Sequence, residues 1–392
     1  MSGLRIVLIH NLKPPVKSPD LPADYYSECD SSKTVQSIVK AIESLGHKVT
    51  PVEADRRLPE WLAHHPVDLA FNIAEGFDGE AREARIPALL ELMDIPYTGC
   101  GVLALALALD KARSKQLFRQ VGVPTPNFQI FMTPSDPLDP KLHYPLIVKP
   151  NREGSAKGIW ASSVVQNETA LRLQVEKVQQ MYKQEVLVEE FIDGLELTVG
   201  ILGAHPLPIL EVDFSECRMS GEYFYSWRMK EFQGNKEMHL VPRFWCPGRL
   251  SPATTQAVHA VAVKAALAIG YRDIARVDIR LSPDGIPYVL EVNPLPGLDP
   301  EESNLPVMVR AAGMTYEALL QRIVDLAVER NNLSIPSSDK SVPTPQAQNG
   351  RALPASREKG SGSPGSPATA VRSAKRPQAS RNDDPKEEDL GR

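Results

Sequence analysis

The chain has 392 residues, 42% hydrophobic and 24% charged, the balance of an ordinary globular protein long enough for two or three domains. A formal net charge of -5 and a pI near 6.0 give no footprint for nucleic acid, and the four scattered cysteines, Cys29, Cys100, Cys217 and Cys246, read as free thiols without metal-ligand spacing. No basic n-region precedes the first strand-like run and the apolar stretch 102–109 is far short of a bilayer span, so a soluble, cytoplasmic protein is expected.

In chain order, residues 4–9 are the continuous apolar run of a buried parallel strand, and helical periodicity over 33–45, stopped by Gly46, completes a β-α unit. Residues 47–52 and 68–73 supply two more strands. The last of these breaks into the loop 74–79, Ala-Glu-Gly-Phe-Asp-Gly, before a helix over 80–93. Alternating strands and helices predict an open α/β sheet whose ligands sit beyond the carboxyl ends of its strands. The loop at 72–80 is therefore well placed for substrate, unless its glycines merely turn the chain.

Asp110 and Lys111 open an amphipathic helix ended by Gly122, and Val123-Pro124-Thr125-Pro126 forces an extended exit near a domain boundary. Taken alone, Lys111 reads as a solvated helix lysine. In the strand 143–150 Lys149 interrupts an apolar run. An unpaired ammonium is costly there, so it needs an anion or carbonyls, and a nucleotide phosphate fits. The loop 151–158, with Gly154, Ser155 and Gly158, suits a lid over phosphates although it is not the P-loop pattern.

A helix at 168–182 and strands at 185–192 and 195–202 follow. Phe191 and Ile192 offer apolar faces for an adenine ring and Glu196 is placed for ribose hydroxyls; a plain antiparallel pair with a charged edge is the alternative. After a strand at 209–214, the stretch 220–239 gathers Tyr223, Tyr225, Trp227, Arg228 and Lys230 in what reads as a long, mobile active-site loop. Ser251 and Pro252 then start a helix through Ala268.

Residues 276–293, R-V-D-I-R-L-S-P-D-G-I-P-Y-V-L-E-V-N, read as a β-hairpin turning at Asp284-Gly285. Val277, Ile279 and Leu281 oppose Arg276, Asp278 and Arg280 on the first strand; on the second, Tyr288, Leu290 and Val292 oppose Val289, Glu291 and Asn293. A loop with an even residue count places Asp278 opposite Glu291 and Arg276 opposite Asn293, and that register is expected. A type I turn with a bulge is the alternative, and a one-residue slip would separate the two acids. Facing carboxylates call for a hard divalent ion, and beside phosphates that means Mg2+; an ordinary exposed hairpin satisfies the spacing equally well. Beyond it come a rigid loop at 294–298, a helix at 315–329 and, from 334, a Pro-, Ser- and Lys/Arg-rich tail expected to be disordered, a solvated tether or a contact for an acidic partner.

Four stretches in this order, I-P-Y-T-G-C-G-V-L-A-L-A-L-A-L-D-K (95–111), V-K-P-N-R-E-G-S-A-K-G (148–158), E-E-F-I-D-G-L-E-L-T-V (189–199) and the hairpin with R-V-D and E-V-N-P, resemble the ATP-grasp superfamily, most closely its D-alanine–D-alanine ligase family. The resemblance spans about 4–327. It implies an α/β (α+β ATP-grasp) fold: an open parallel α/β domain over 1–110, a central lid subdomain over 111–200 and a catalytic subdomain over 201–333, with the tail at 334–392. It implies ATP and two Mg2+ ions, Mn2+ serving as a substitute, and small amino-acid or peptide substrates, without nucleic acid or membrane; the oligomeric state stays open, a homodimer included. Lys111 and Lys149 would contact phosphates, with Gly154 and Ser155 closing over the reacting centre. Glu189, Glu190, Phe191 and Ile192 would line the adenine site, and Glu196 hold ribose. Asp278, Glu291 and Asn293 match the metal site, Arg276 the arginine that stabilises the developing anion, and Lys230 the lysine of the mobile loop.

The implied reaction joins a carboxylate to an amine through an acyl phosphate. Three departures from the family pattern bear on the substrate. The N-terminal Glu-x-x-Val-Ser is unclear near 28–35, Asn72-Ile73-Ala74-Glu75-Gly76 replaces the usual His-Gly, and 299–304 is more acidic and one residue longer. A different amino acid or peptide is the rival, one with a cation facing Glu301 or Glu302, and a nucleotide-binding scaffold is the non-catalytic reading.

Overall fold

The computed structural model describes residues 3–16 and 18–333. The apolar run near the start forms β1 (Arg5–His10), followed by α1 (Ser32–Ser44), β2 (Lys48–Glu53), α2 (Leu58–His64) and β3 (Leu69–Asn72). The three strands are parallel in the order β2-β1-β3. Ser31 caps α1 by accepting the Thr34 amide, and the helix buries Val35, Ile38 and Ile42 at i, i+3 and i+7. Where a single helix over 80–93 is expected, a 3-10 turn, Arg82–Ala84, leads into α3 (Arg85–Leu92).

α4 (Val102–Leu109) and α5 (Lys111–Gln120) are separated by Asp110 alone. Its extended ψ of 95° breaks the helix, and its carboxylate accepts the Arg113 amide at 3.0 Å, so one residue ends α4 and caps α5.

β4 (Phe128–Phe131), β5 (Leu146–Pro150), β6 (Val164–Val165), α6 (Glu168–Tyr182) and β7 (Val186–Glu190) build a second, antiparallel sheet in the order β4-β7-β5-β6. α6 covers it with Leu171, Val175 and Val178. The third sheet uses β8 (Leu195–Leu202), β9 (His205–Pro206), β10 (Leu210–Asp213), β11 (Arg243–Trp245), β12 (Ile274–Leu281) and β13 (Pro287–Asn293). Its order is β11-β10-β8-β12-β13, with β9 on β8.

Between β10 and β11, α7 (Trp227–Glu231) occupies a stretch that reads as loop; its signal was local, Ser226 accepting the Met229 amide as N-cap. α8 (Pro252–Ala268) lays Val258, Ala262, Ala265 and Ala266 on Val277 and Ile279 of β12. Burying side chains of that size stabilises the fold by roughly 1.5–3 kcal/mol each for the valines and isoleucines.

α9 (Asn304–Ala311) and α10 (Tyr316–Asn331) close the chain. Leu319, Leu320, Ile323 and Val324 of α10 share one apolar core with Ile38 and Ile42 of α1, Leu202 of β8 and Ile274 of β12. The first and third sheets are thereby joined through a common core. Among the described residues no helix is long and apolar enough to cross a membrane, and the four cysteines are free thiols. The tail reading from 334 onward lies outside the described residues.

Candidate active site

The hairpin sits at the edge of the third sheet with β12 between β8 and β13. Asp278 does face Glu291, and Arg276 faces Asn293, but by a different route from the even loop expected. The loop is odd: Leu281 pairs with Pro287, leaving the five residues 282–286, closed by Ser282 N–H to Ile286 O at 3.0 Å and Gly285 N–H to Ser282 O at 2.9 Å. Ile279 then pairs with Val289, and a bulge at Leu290 absorbs one residue before Asp278 meets Glu291. Two one-residue displacements cancel. The side chains follow the bulge rather than strict alternation: Val289 is buried in the core beside Val292, against the face expected for it, and Leu290 joins Glu291 in lining a cleft.

That cleft encloses about 850 Å3 of space, part of it open to solvent. Lys111, Lys149, Glu189, Glu190, Phe191, Ile192, Glu196, Lys230, Arg276, Asp278 and Glu291 all line it. Gly154, Ser155 and Asn293 do not line it. Asn293 donates its amide to Asp278 at 2.9 Å, and Gly154 and Ser155 lie between Glu153 and Ala156, which do line it.

Four elements supply the cations. Lys111 starts α5 and reaches Glu291 at 3.2 Å, and its ammonium also donates to the Glu153 carbonyl. Lys149 sits in β5, 5% exposed, where it meets Glu189 of the neighbouring β7 at 2.5 Å. Lys115, one helical turn after Lys111, binds the other oxygen of Glu189 at 2.8 Å and donates to Thr125 at 2.8 Å. Burial pushes Lys115 down to about 8 against the pull of Glu189. The i, i+4 spacing of Lys111 and Lys115 was readable in the sequence; the partner of both Lys115 and Lys149 was not. Lys230 of α7 stands 5.5 Å from the Tyr225 ring centroid, and burial followed by the charge of Arg276 lowers its pKa.

Asp278 accepts from Arg276 at 3.1 and 3.0 Å and from Thr198 at 3.0 Å. Burial opposes ionisation of Glu291, but Lys111, Lys149, Lys230 and Arg276 outweigh it and hold the carboxyl at about 2. Two carboxylates and an amide on one sheet face are hard oxygen donors, a set that fits Mg2+ once the Asn293 amide is turned to present its oxygen. On the apolar side Ile147, Ile159, Ile192, Phe224 and Leu290 complete the cleft. Glu196 pairs with Arg280 at 3.1 Å, and burial raises its pKa. Glu190 is tied to Asn127 at 2.9 Å and His143 at 3.0 Å.

The loop 151–158 is anchored to the N-terminal segment, which the sequence did not suggest. The Gly154 amide donates to Glu28 at 2.7 Å, and a Cβ at Gly154 would meet that oxygen at 2.4 Å, so a larger residue there would have to displace the Glu28 carboxylate. Lys157 and Arg82 also bind Glu28, at 3.0 and 2.6 Å. Trp227 of α7 donates its indole N–H to Ser27 at 2.8 Å, tying α7 to the same segment. Glu301 is exposed and pairs with Lys33 at 2.7 Å, and neither it nor Glu302 lines this cleft.

Comparison with known proteins gives the family of the chain. The family model described as D-ala D-ala ligase C-terminus matches residues 117–325. The chain is similar to the D-alanine–D-alanine ligase of Syntrophotalea carbinolica, 37% identical over 294 residues covering 75% of this chain and 90% of the relative. It is 35% identical to that of Carboxydothermus hydrogenoformans over 311 residues, covering 76% and 94%. Among solved structures, the ATP complex of the D-alanine–D-alanine ligase of Bacillus anthracis shares the fold, with a TM-score of 0.64 at 24% identity, over 84% of this chain and 99% of that one. The chain belongs to the D-alanine–D-alanine ligase family of ATP-grasp enzymes and is an ATP-dependent ligase that forms C–N bonds.

Proposed function

We propose that the protein joins a carboxylate to the amine of a second amino acid or peptide through an acyl phosphate. The observation that carries this reading is the convergence of Lys111, Lys149, Lys230 and Arg276 on one cleft that also presents Asp278 and Glu291 beside an apolar slot. A substrate carboxylate oxygen attacks the γ-phosphorus of ATP and the bond to the ADP oxygen breaks, leaving an acyl phosphate. The amine nitrogen of the second substrate then attacks the acyl carbon, loses a proton, and inorganic phosphate departs. Lys111 and Lys149 offset phosphate charge, and Arg276 faces the oxyanion that develops at the acyl carbon.

Mg2+, held by Asp278, Glu291 and Asn293, would offset charge on the transferring phosphoryl group. Ile147, Ile192 and Leu290 form the apolar slot for the adenine ring, next to Phe191 and Glu190. Glu189 supports this site indirectly, since both its oxygens are engaged by lysines. Gly154 and Ser155 belong to a lid that excludes water, which would otherwise hydrolyse the acyl phosphate. We assign working parts to residues 1–110, 111–200 and 201–333: substrate binding, lid and catalysis.

ATP-dependent phosphate release over a panel of D- and L-amino acids tests the reading, with D-alanine, the substrate in the names of the relatives, tried first. Asp278→Asn is expected to lower kcat by about 10^3-fold. Release that needs no amino acid, or that is equal in wild type and Asp278→Asn, would rule out the ligase mechanism.

A further inference from the structure

A second cavity, about 480 Å3 of open space, lies at the carboxyl end of β3 and is lined by Asp30, Asn72, Glu75 and Thr98 with Phe71 and Leu298 as apolar wall. At Glu75, one carboxylate oxygen each of Glu28, Glu75 and Glu83 lies within 4.8 Å of the others. Glu28 is already neutralised by Arg82 and Lys157, and Glu153 adds a second acid to that pair, 3.5 Å from Arg82. These four charges cancel. Three acids remain: among the described residues the side chains of Asp30, Glu75 and Glu83 have neither a hydrogen-bond donor nor a cation within ion-pair distance.

Glu83 is 7% exposed, so it is a buried carboxyl without a partner, directed at Glu75 and Glu28. Leaving such a group unpaired is costly. Burial accordingly pushes Asp30 and Glu83 up to about 7 and Glu75 well above its usual range, with the like charges of Asp299 on Asp30 and of Glu28 on Glu75 adding to it.

The acids also reach toward the reacting centre. Glu75 acts electrostatically on Arg276, and Glu83 on Lys111 and Glu291. A ligand in this cavity therefore lies beside the cleft where the acyl phosphate forms. A divalent ion is a poor occupant, because bonding to Glu28 at about 2.0–2.6 Å would set it against the guanidinium of Arg82 and the ammonium of Lys157. An ammonium or guanidinium donates hydrogen bonds to Glu75 and Glu83 and leaves the Glu28 pairs intact.

We propose that one substrate of this ligase is a basic amino acid, carrying an amino or guanidino group beyond its α-amine, and that Glu75, Glu83 and Asp30 receive its two cationic nitrogens while Phe71 and Leu298 pack on its methylene chain. The proposal rests on the ligase reading above and names the substrate class of the same site.

The test compares ADP release with D- and L-lysine, ornithine and arginine against D-alanine, in wild type, Glu75→Gln and Glu83→Gln. A basic amino acid is expected to exceed D-alanine in kcat/KM by about 10- to 100-fold in wild type, and each variant to remove most of that preference. Preference for D-alanine in wild type, or a ratio that neither variant moves, overturns the proposal. If no amino acid elicits ADP, the ligase reading itself has failed. Calorimetric titration of the same amino acids into wild type and Glu75→Gln then decides the cavity's ligand: binding lost in the variant supports it, no binding overturns it. A melting temperature raised by MgCl2 alone in wild type but not in Glu75→Gln would make the cluster a metal site and overturn the proposal as well.

Discussion

Glu189 is held between two ammonium groups, Lys149 at 2.5 Å and Lys115 at 2.8 Å, with 1% of its surface exposed. Burial opposes its ionisation, but the two lysines win and keep its pKa below the ordinary value. Glu189→Gln leaves two buried cations facing one neutral amide, and a loss of about 3–5 kcal/mol is expected in urea unfolding. Asp30 presents the opposite case. Its folded pKa, about 7, lies above the unfolded value of 3.8, so the folded state binds more protons between those limits. Its contribution to stability is complete below pH 3.8 and lost as pH rises through 7. Asp30→Asn is therefore expected to raise stability at pH 8 by on the order of 2 kcal/mol and to change it little at pH 4, read from unfolding curves at the two pH values.

That Lys149 needs an anion or carbonyls was legible in the sequence, because a charge in an apolar run cannot go unpaired. That the partner is the Glu189 carboxylate was not. Its partner is 40 residues away, and only the pairing of β5 with β7 brings it near.

Among the elements, the hairpin was legible as a hairpin and its cross-strand pair Asp278–Glu291 was read correctly, but not the way it arises. Alternation assigns Val289 to the charged face, and the bulge at Leu290 sends it into the core with Val292. A bulge has no local composition signal here, since Leu290 suits either face. Deleting Leu290 removes it: Ile279–Val289 and Asp278–Glu291 become consecutive pairs, Glu291 stays on the face of Asp278, and only the part of the cleft wall that Leu290 supplies is lost. ADP release is expected to fall by no more than about 10-fold, through the lost apolar contact of Leu290, and a fall beyond about 10^3-fold would show that the bulge itself sets the site. α7 was missed because the aromatic and polar residues of 220–239 carry no extended periodicity. Its five residues are held by the Ser226 cap and by the Trp227 amide donating to Ile159 O at 2.9 Å, a tertiary bond invisible to a local reading.

At the scale of the whole molecule, α10 braces the wall of the acidic cavity and the start of β12 through one core. Its sequence showed the amphipathic pattern of a closing helix, but not what it closes on. Arg330 near its end donates to Tyr97 O at 2.7 Å and pairs with Asp273, whose other oxygen accepts the Gly99 amide at 2.7 Å. The loop at 97–99 and the start of β12 are thereby fixed to one helix. Ile323, 2% exposed, contributes both to the core shared with α1 and to the wall of the acidic cavity. Ile323→Ala removes methylenes from a core to which α1, β8 and β12 also contribute, so the gap cannot collapse fully, and a loss of about 2–5 kcal/mol is expected. The functional consequence should be confined to one substrate. Because Ile323 does not line the ATP cleft, the KM for the amino acid received by the acidic cavity should rise while the KM for ATP holds, measured at a temperature well below the variant's Tm. Equal changes in both constants would mean that the two cavities loosen together, and that the common core, rather than its local wall, governs how the substrates are held.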